Sequence, residues 1–169
     1  MTESSPVKMR TAFLLQQKMK IKILLPAVLI FFFIECRNVY RNFSEIPSLK
    51  WYKKDVLKFK VNINEDGIYD LFFALRYTTG FPYRNISVKI TRKADDGIEW
   101  YKDCNFRIVN ENDEYIGEVA GDMWDFEECF AEKQEMKHGT YYFEIEHTMP
   151  DDPVIPVLDV GLTVRKSQE

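Results

Sequence analysis

Apolar residues recur at every second position so often beyond residue 56 that the chain is restricted to a scaffold of β-strands. Leu57, Phe59, Val61 and Ile63 alternate with Lys58, Lys60 and Asn62, and Ile86, Val88 and Ile90 alternate with Ser87, Lys89 and Thr91. Tyr141, Phe143 and Ile145 do the same with Tyr142, Glu144 and Glu146, as do Leu158, Val160, Leu162 and Val164 with Asp159, Gly161, Thr163 and Arg165. Neighbouring side chains on a strand point to opposite faces, so each segment buries one side and wets the other. Residues 69–77 differ: Leu71, Phe73 and Leu75 share one face while Phe72 and Ala74 lie on the other, which predicts a central strand covered on both sides. Glu65-Asp66-Gly67 and Asp95-Asp96-Gly97 supply turns, and shorter strands are expected at 98–101 and 105–109. Only residues 122–136 leave room for a helix, and their apolar spacing (Met123, Trp124, Phe126, Phe130, Met136) is irregular. The expectation is an all-β, antiparallel β-sandwich, jelly-roll-like, with at most one short helix.

The N-terminal stretch has a different logic. Lys20 and Lys22 precede a nearly unbroken apolar run at residues 23–34, and Glu35-Cys36 follows it. About 20 apolar residues are needed to span a bilayer, so this run is too short and has the layout of a signal peptide. A cysteine directly after such a run is the attachment point of a lipoprotein, with translation starting at Met19 and the lipid carried on Cys36. An uncleaved anchor and a hydrophobic strand of a soluble protein are the alternatives, because Glu35 and Phe33 are unusual in the box before a lipidated cysteine. The basic residues Lys8, Arg10, Lys18, Lys20 and Lys22 ahead of the run, opposed only by Glu3 and Glu35, argue against the second. The expected organisation is a signal peptide at 1–35, a lipidated tether at 36–48 and a β-sandwich domain at 49–169. No acidic run follows Cys36, which predicts a domain facing the periplasm from the outer membrane.

Charge narrows the function further. The chain carries 23 basic and 27 acidic side chains; without residues 1–35 these become 18 and 25, a net charge of −7. An acidic domain does not gain from counterion release on a phosphate backbone, so nucleic acid is excluded as a partner. Cys104 and Cys129 leave one disulfide open in an exported protein. His138 and His147 show no ligand spacing with either cysteine, so no metal is expected. No nucleophile–base or phosphate-loop pattern appears, and the pairs Glu127-Glu128, Asp151-Asp152 and Glu146-His147 are split by strand alternation. The chain therefore reads as a non-enzyme that needs no cofactor beyond the covalent lipid. Trp51, Trp100 and Trp124 admit two readings: core packing, or a platform for sugar rings that would make the protein a surface glycan-binding lipoprotein.

Five segments together resemble the gliding-motility lipoprotein H (GldH) family. They are Leu49-Lys50-Trp51-Tyr52-Lys53-Lys54-Asp55, the pair Tyr69-Asp70-Leu71-Phe72-Phe73-Ala74-Leu75-Arg76-Tyr77 with Phe81-Pro82-Tyr83-Arg84-Asn85-Ile86, and Tyr115-Ile116-Gly117-Glu118-Val119-Ala120-Gly121-Asp122-Met123. Ile145-Glu146-His147-Thr148-Met149 and Leu158-Asp159-Val160-Gly161-Leu162 are similar to the closing strands. Val119 stands where another glycine is usual. The resemblance spans residues 49–166 and implies lipidation at Cys36. It further implies a place among the envelope lipoproteins of the gliding and type IX secretion machinery, held at the outer membrane by the lipid.

Overall fold

The computed structural model describes residues 38–95, 97 and 99–168, so the signal segment and Cys36 lie outside the described residues. Among the described residues, nine strands form two antiparallel sheets. The first contains β1 (Asn38–Glu45), β9 (Val157–Lys166), β3 (Gly67–Thr78), β7 (Met123–Met136) and β6 (Glu118–Ala120), in the spatial order β1-β9-β3-β7-β6. The second contains β2 (Leu57–Ile63), β8 (Gly139–His147), β4 (Asn85–Ala94) and β5 (Glu99–Arg107), in the order β2-β8-β4-β5. Set the three-residue β6 aside and the orders become 1-9-3-7 and 2-8-4-5, two nested four-strand sets characteristic of a jelly roll. The sandwich expected from the alternation is present.

The core lies between the two inner faces. Tyr69, Leu71, Phe73, Leu75 and Tyr77 of β3 and Val160, Leu162 and Val164 of β9 meet Phe59, Val61 and Ile63 of β2, with Ile86, Val88 and Ile90 of β4 and Phe143 and Ile145 of β8 beside them. Phe73 stacks on Phe106 of β5 with centroids 4.7 Å apart, tying the sheets together near their centre. Burying each such side chain contributes about 1.5–3 kcal/mol. As expected, β3 is central, flanked by β9 and β7.

Three expectations change. The segment assigned to a tether forms β1, paired with β9 from Asn38↔Arg165 to Glu45↔Asp159. Its polar composition suits an edge strand, where only one flank and one face are covered. Residues 122–136 form no helix but the strand β7, paired with β3 along its length. The apolar spacing is irregular because the pairing slips opposite Leu71, and Lys133 takes a φ of 50° there. The two short strands at 98–101 and 105–109 are one edge strand, β5, in which Lys102 and Asp103 interrupt the apolar pattern without interrupting the pairing to β4. Among the described residues the one helical turn is a 3-10 turn at Pro47–Leu49.

Antiparallel register fixes the two ends of the sandwich. Asn38, Asp70 and Arg165 share one end, with the β2–β3, β4–β5 and β7–β8 turns. Glu45, Arg76 and Asp159 mark the other, where the 3-10 turn and the β3–β4, β5–β6 and β8–β9 connections gather.

Candidate functional site

The loop end is organised around Trp51, which has no exposed surface. Trp51 and Val154 exchange both backbone hydrogen bonds, at 3.0 and 2.9 Å, so the segments on either side of these two residues are joined by one antiparallel bridge, a minimal ribbon. The indole N–H donates to the Asp55 carbonyl at 3.0 Å, holding the turn at residues 52–55 against the ring. The Lys53 backbone N–H donates to Asp152 Oδ1 at 2.9 Å and links that turn to the β8–β9 connection.

His147, the last residue of β8, packs edge-on to Trp51 with centroids 5.1 Å apart. It is 2 % exposed, and its Nε2 lies 3.9 Å from Asp152 Oδ1, beyond hydrogen-bond reach. Burial pushes its pKa below the ordinary value, against the weaker opposing pull of the Trp51 backbone and the Asp152 carboxylate. The neutral ring is a packing element here. Glu146, on the other face of β8, points to Lys89 at 3.4 Å, so strand alternation separates the Glu146-His147 pair as expected.

A second organised region covers the outward face of the five-stranded sheet. One row runs Phe43, Gly161, Ala74, Glu127 across four strands, and the next runs Arg41, Thr163, Phe72, Cys129. A Cβ on Gly161 would lie 2.7 Å from the Phe43 ring, so the missing side chain lets that ring lie flat on the sheet. The Arg76 guanidinium grips Asp125 through Nε at 2.5 Å and Nη2 at 3.1 Å, and reaches Asp159 at 3.1 Å through Nη1. The hydrogen bond to Asp125 is the main cause that holds the Arg76 pKa above its ordinary value. Arg165 pairs with Glu127, donates to Asn38 Oδ1 at 2.9 Å, and lies 4.1 Å over the Phe72 ring. Gly117, at the margin of this face, has a φ of 135°, and a Cβ there would come within 2.4 Å of the Asp125 carbonyl. That is why the glycine-spaced segment needs its glycine at this position.

The residues singled out in the sequence do not converge. Cys36 lies outside the described residues. Cys104 belongs to the second sheet and Cys129 pairs with Phe72 on the outward side of the first, and both thiols are free in this structure. Burial raises both thiol pKa values, which disfavours the reactive thiolate. Trp100 on β5 is half-buried beneath the Arg92 guanidinium, and Trp124 on β7 donates to the Thr79 hydroxyl at 3.3 Å. With Trp51 enclosed, the three indoles share no face and make no sugar platform. Among the described residues, no group of three or more His, Cys, Asp or Glu side chains could hold a metal ion.

The sequence reading missed the arginine grid and the ribbon. Gly161 within a regular strand and the second apolar face of β3 were the available signals for the grid. No local pattern announced the ribbon, whose two halves are about a hundred residues apart in the chain.

Comparison with known proteins adds what geometry does not. A sequence model of the GldH lipoprotein family matches residues 38–164, the sandwich from β1 nearly to the end of β9. A gliding motility lipoprotein GldH homolog of Christiangramia forsetii is 23 % identical over 168 residues, covering 94 % of this chain and 99 % of the relative. Among solved structures, a protein from Sulfurospirillum deleyianum is similar with a TM-score of 0.41 at 12 % identity, covering 77 % of this chain and 99 % of that one. TmCBM61 in complex with β-1,4-galactotriose aligns with a TM-score of 0.37 at 8 % identity, covering 75 % and 88 % of the two chains. Structural likenesses this distant carry no argument about function.

Proposed function

Because the chain belongs to the GldH lipoprotein family, we propose that it serves, without catalysis, as a lipid-anchored docking component of the gliding-motility and type IX secretion machinery. The observation that carries this reading is the family match across the whole sandwich, directly behind a signal-and-cysteine layout. A lipid on Cys36 would hold the domain at the membrane, each buried methylene contributing about 0.8 kcal/mol. The outer membrane, with the domain on its periplasmic side, is the location that fits the missing acidic run after Cys36.

β1 refines how such an anchor works. Cys36 precedes Asn38 by two residues, and two residues reach at most roughly 7 Å. A lipid on Cys36 would therefore tie the chain to the membrane within two residues of the start of β1.

The test is Cys36→Ala in the native cell. Acyl labelling is expected to vanish, the precursor to keep its signal segment, and secretion-dependent motility to fail. Protease added to intact cells should spare the wild-type domain. Equal acyl labelling of the variant and the parent would remove the basis for the reading.

A further inference from the structure

The two sheets finish their edges in different ways. On the five-stranded sheet, β1 shifts register between Asn38 and Tyr40, and β6 is only three residues long. β7 slips twice against β3, and side chains occupy two of its carbonyls. Lys102 Nζ donates to the Phe130 carbonyl at 2.6 Å, and Gln134 Nε2 donates to the Glu132 carbonyl at 2.9 Å. Bulges, short strands and lysines of this kind blunt an edge against strand addition. The four-stranded sheet is not blunted so. Its outer strands, β2 and β5, are seven and nine residues long and contain neither proline nor glycine. Both pair with their neighbours in unbroken register, and among the described residues neither has a strand on its other flank.

The outward face of that sheet carries its charge in stripes, one sign to a strand. β2 presents Lys58 and Lys60, β8 Glu144 and Glu146, β4 Lys89 and Lys93, and β5 Glu99 and Asp103. The ion pairs Lys58–Glu144, Lys89–Glu146 and Lys93–Glu99 each cross a boundary between strands of opposite sign. The alternation is left open at both edges, positive at β2 and negative at β5. Among the described residues, Lys60 and Asp103 form no ion pair, and Tyr101 between the two β5 carboxylates is exposed. Direction alternates with charge: β2 and β4 run one way, β8 and β5 the other. Pairing places Lys60, Tyr142, Lys93 and Glu99 in one row, and Lys58, Glu144, Thr91 and Tyr101 in the next. A second copy laid with its β2 along β5 therefore continues both alternations at once. In the same rows, its Lys60 meets Glu99 and its Lys58 meets the Tyr101 ring.

We propose that copies of this chain associate head to tail, the β2 edge of one adding to the β5 edge of the next and extending the four-stranded sheet. The acidic edge strand that suits β2 in direction, length and charge is the chain's own β5. Two-fold pairings are disfavoured, because β5 on β5 sets carboxylates against carboxylates and β2 on β2 sets lysines against lysines. The contact is thus heterologous; it leaves one free β2 and one free β5, and it can propagate as an open row. The five-stranded sheet does not extend in the same way, since its outer strands β1 and β6 run in the same direction and would meet parallel. One strand pair is a small contact, so association rises with local concentration. Neither edge involves the lipid anchor, and the proposal does not rest on it.

The experiment places a photoreactive benzophenone amino acid at Tyr101 of the full-length chain in its own cells, with Ile68, exposed on the five-stranded sheet, as the control position. The expected product has twice the mass of the chain, and its crosslinked peptide contains residues of β2. Lys58→Glu with Lys60→Glu should lower the yield about tenfold or more, and so should Glu99→Lys with Asp103→Lys. All four changes in one chain reverse both edges together and should restore most of the yield. That variant also answers for folding, because it carries every substitution of the two defective ones. The proposal is overturned if no product of double mass forms, or if its crosslink maps outside β2. It is equally overturned if Ile68 gives the same product, if position 101 joins only a different protein, if either reversal leaves the yield unchanged, or if the fourfold variant fails to recover it.

Discussion

The outward faces of the two sheets are built from the same alternation and have opposite characters. On the four-stranded sheet, Lys58–Glu144 at 3.5 Å, Lys89–Glu146 at 3.4 Å and Lys93–Glu99 at 3.7 Å form an open lattice. Tyr101 and Tyr142 there are 65 % and 45 % exposed. On the five-stranded sheet, Ala74 is 2 % exposed and Thr163 fully buried, though both point away from the core. What covers them is other side chains: Phe43 flat on Gly161, Arg165 over Phe72, and Arg76 forked between two aspartates. Small residues in the middle strands leave room for a flat ring. Arginine supplies planar, directional pairing that the lysines opposite cannot. A sheet face becomes a third layer when both conditions hold.

Glu127→Ala should break that contrast most severely. Glu127 accepts from the buried Thr163 hydroxyl at 2.8 Å and pairs with Arg165, so its loss strands a buried donor and a partly buried cation together. A cost of about 2–3 kcal/mol in urea unfolding is expected. A loss under about 0.5 kcal/mol would mean that the grid is as weakly held as any exposed ion pair. Gly161→Ala comes next, at about 1–2 kcal/mol, because the added methyl collides with the Phe43 ring. Combining it with Phe43→Ala should relieve the collision, giving less than the sum of the single costs.

How much of this was legible in the sequence follows from what each contact depends on. Alternation within β2, β3, β4, β8 and β9 is local, so their faces and the sandwich could be read directly. The second apolar face of β3 correctly announced that Phe72 and Ala74 would be covered. Edge strands were misread: β1 passed for a tether and β5 for two fragments, since an edge strand can be polar on either phase. β7 was obscured by its pairing slip near Lys133, which shifts the period midway. The arginine grid and the ribbon at Trp51 and Val154 stayed invisible because their members meet only through tertiary register.

Histidine extends the comparison to pH, because neither outward face carries one. His147 is held below its ordinary pKa by burial, so the native state binds fewer protons than the unfolded chain. Its stabilising contribution is complete above the unfolded value of roughly 6.5 and is lost as the pH falls below it, toward the folded pKa. The slope from one such group is at most about 1.4 kcal/mol per pH unit. His147→Phe, which keeps a ring against Trp51, should flatten the fall in urea midpoint between about pH 7 and pH 5. An unchanged slope would assign the acid sensitivity to the charged faces instead.

The smallest effect belongs to the open lattice and makes the sharpest control. Lys58 is 74 % exposed on its side chain and Glu144 35 %, so water and ions reach the pair freely. Lys58→Ala should cost no more than about 0.5 kcal/mol. At 1 M salt, where the screening length is roughly 3 Å, even that difference should disappear. The loss from Glu127→Ala should persist under the same salt, because much of it comes from a buried hydroxyl left without an acceptor rather than from long-range attraction. Measuring both variants at low and high salt therefore separates the faces by mechanism as well as by size. If salt abolishes both losses, the five-stranded face is only a denser version of the four-stranded one. If it abolishes only the Lys58 loss, the covered face is a layer in its own right.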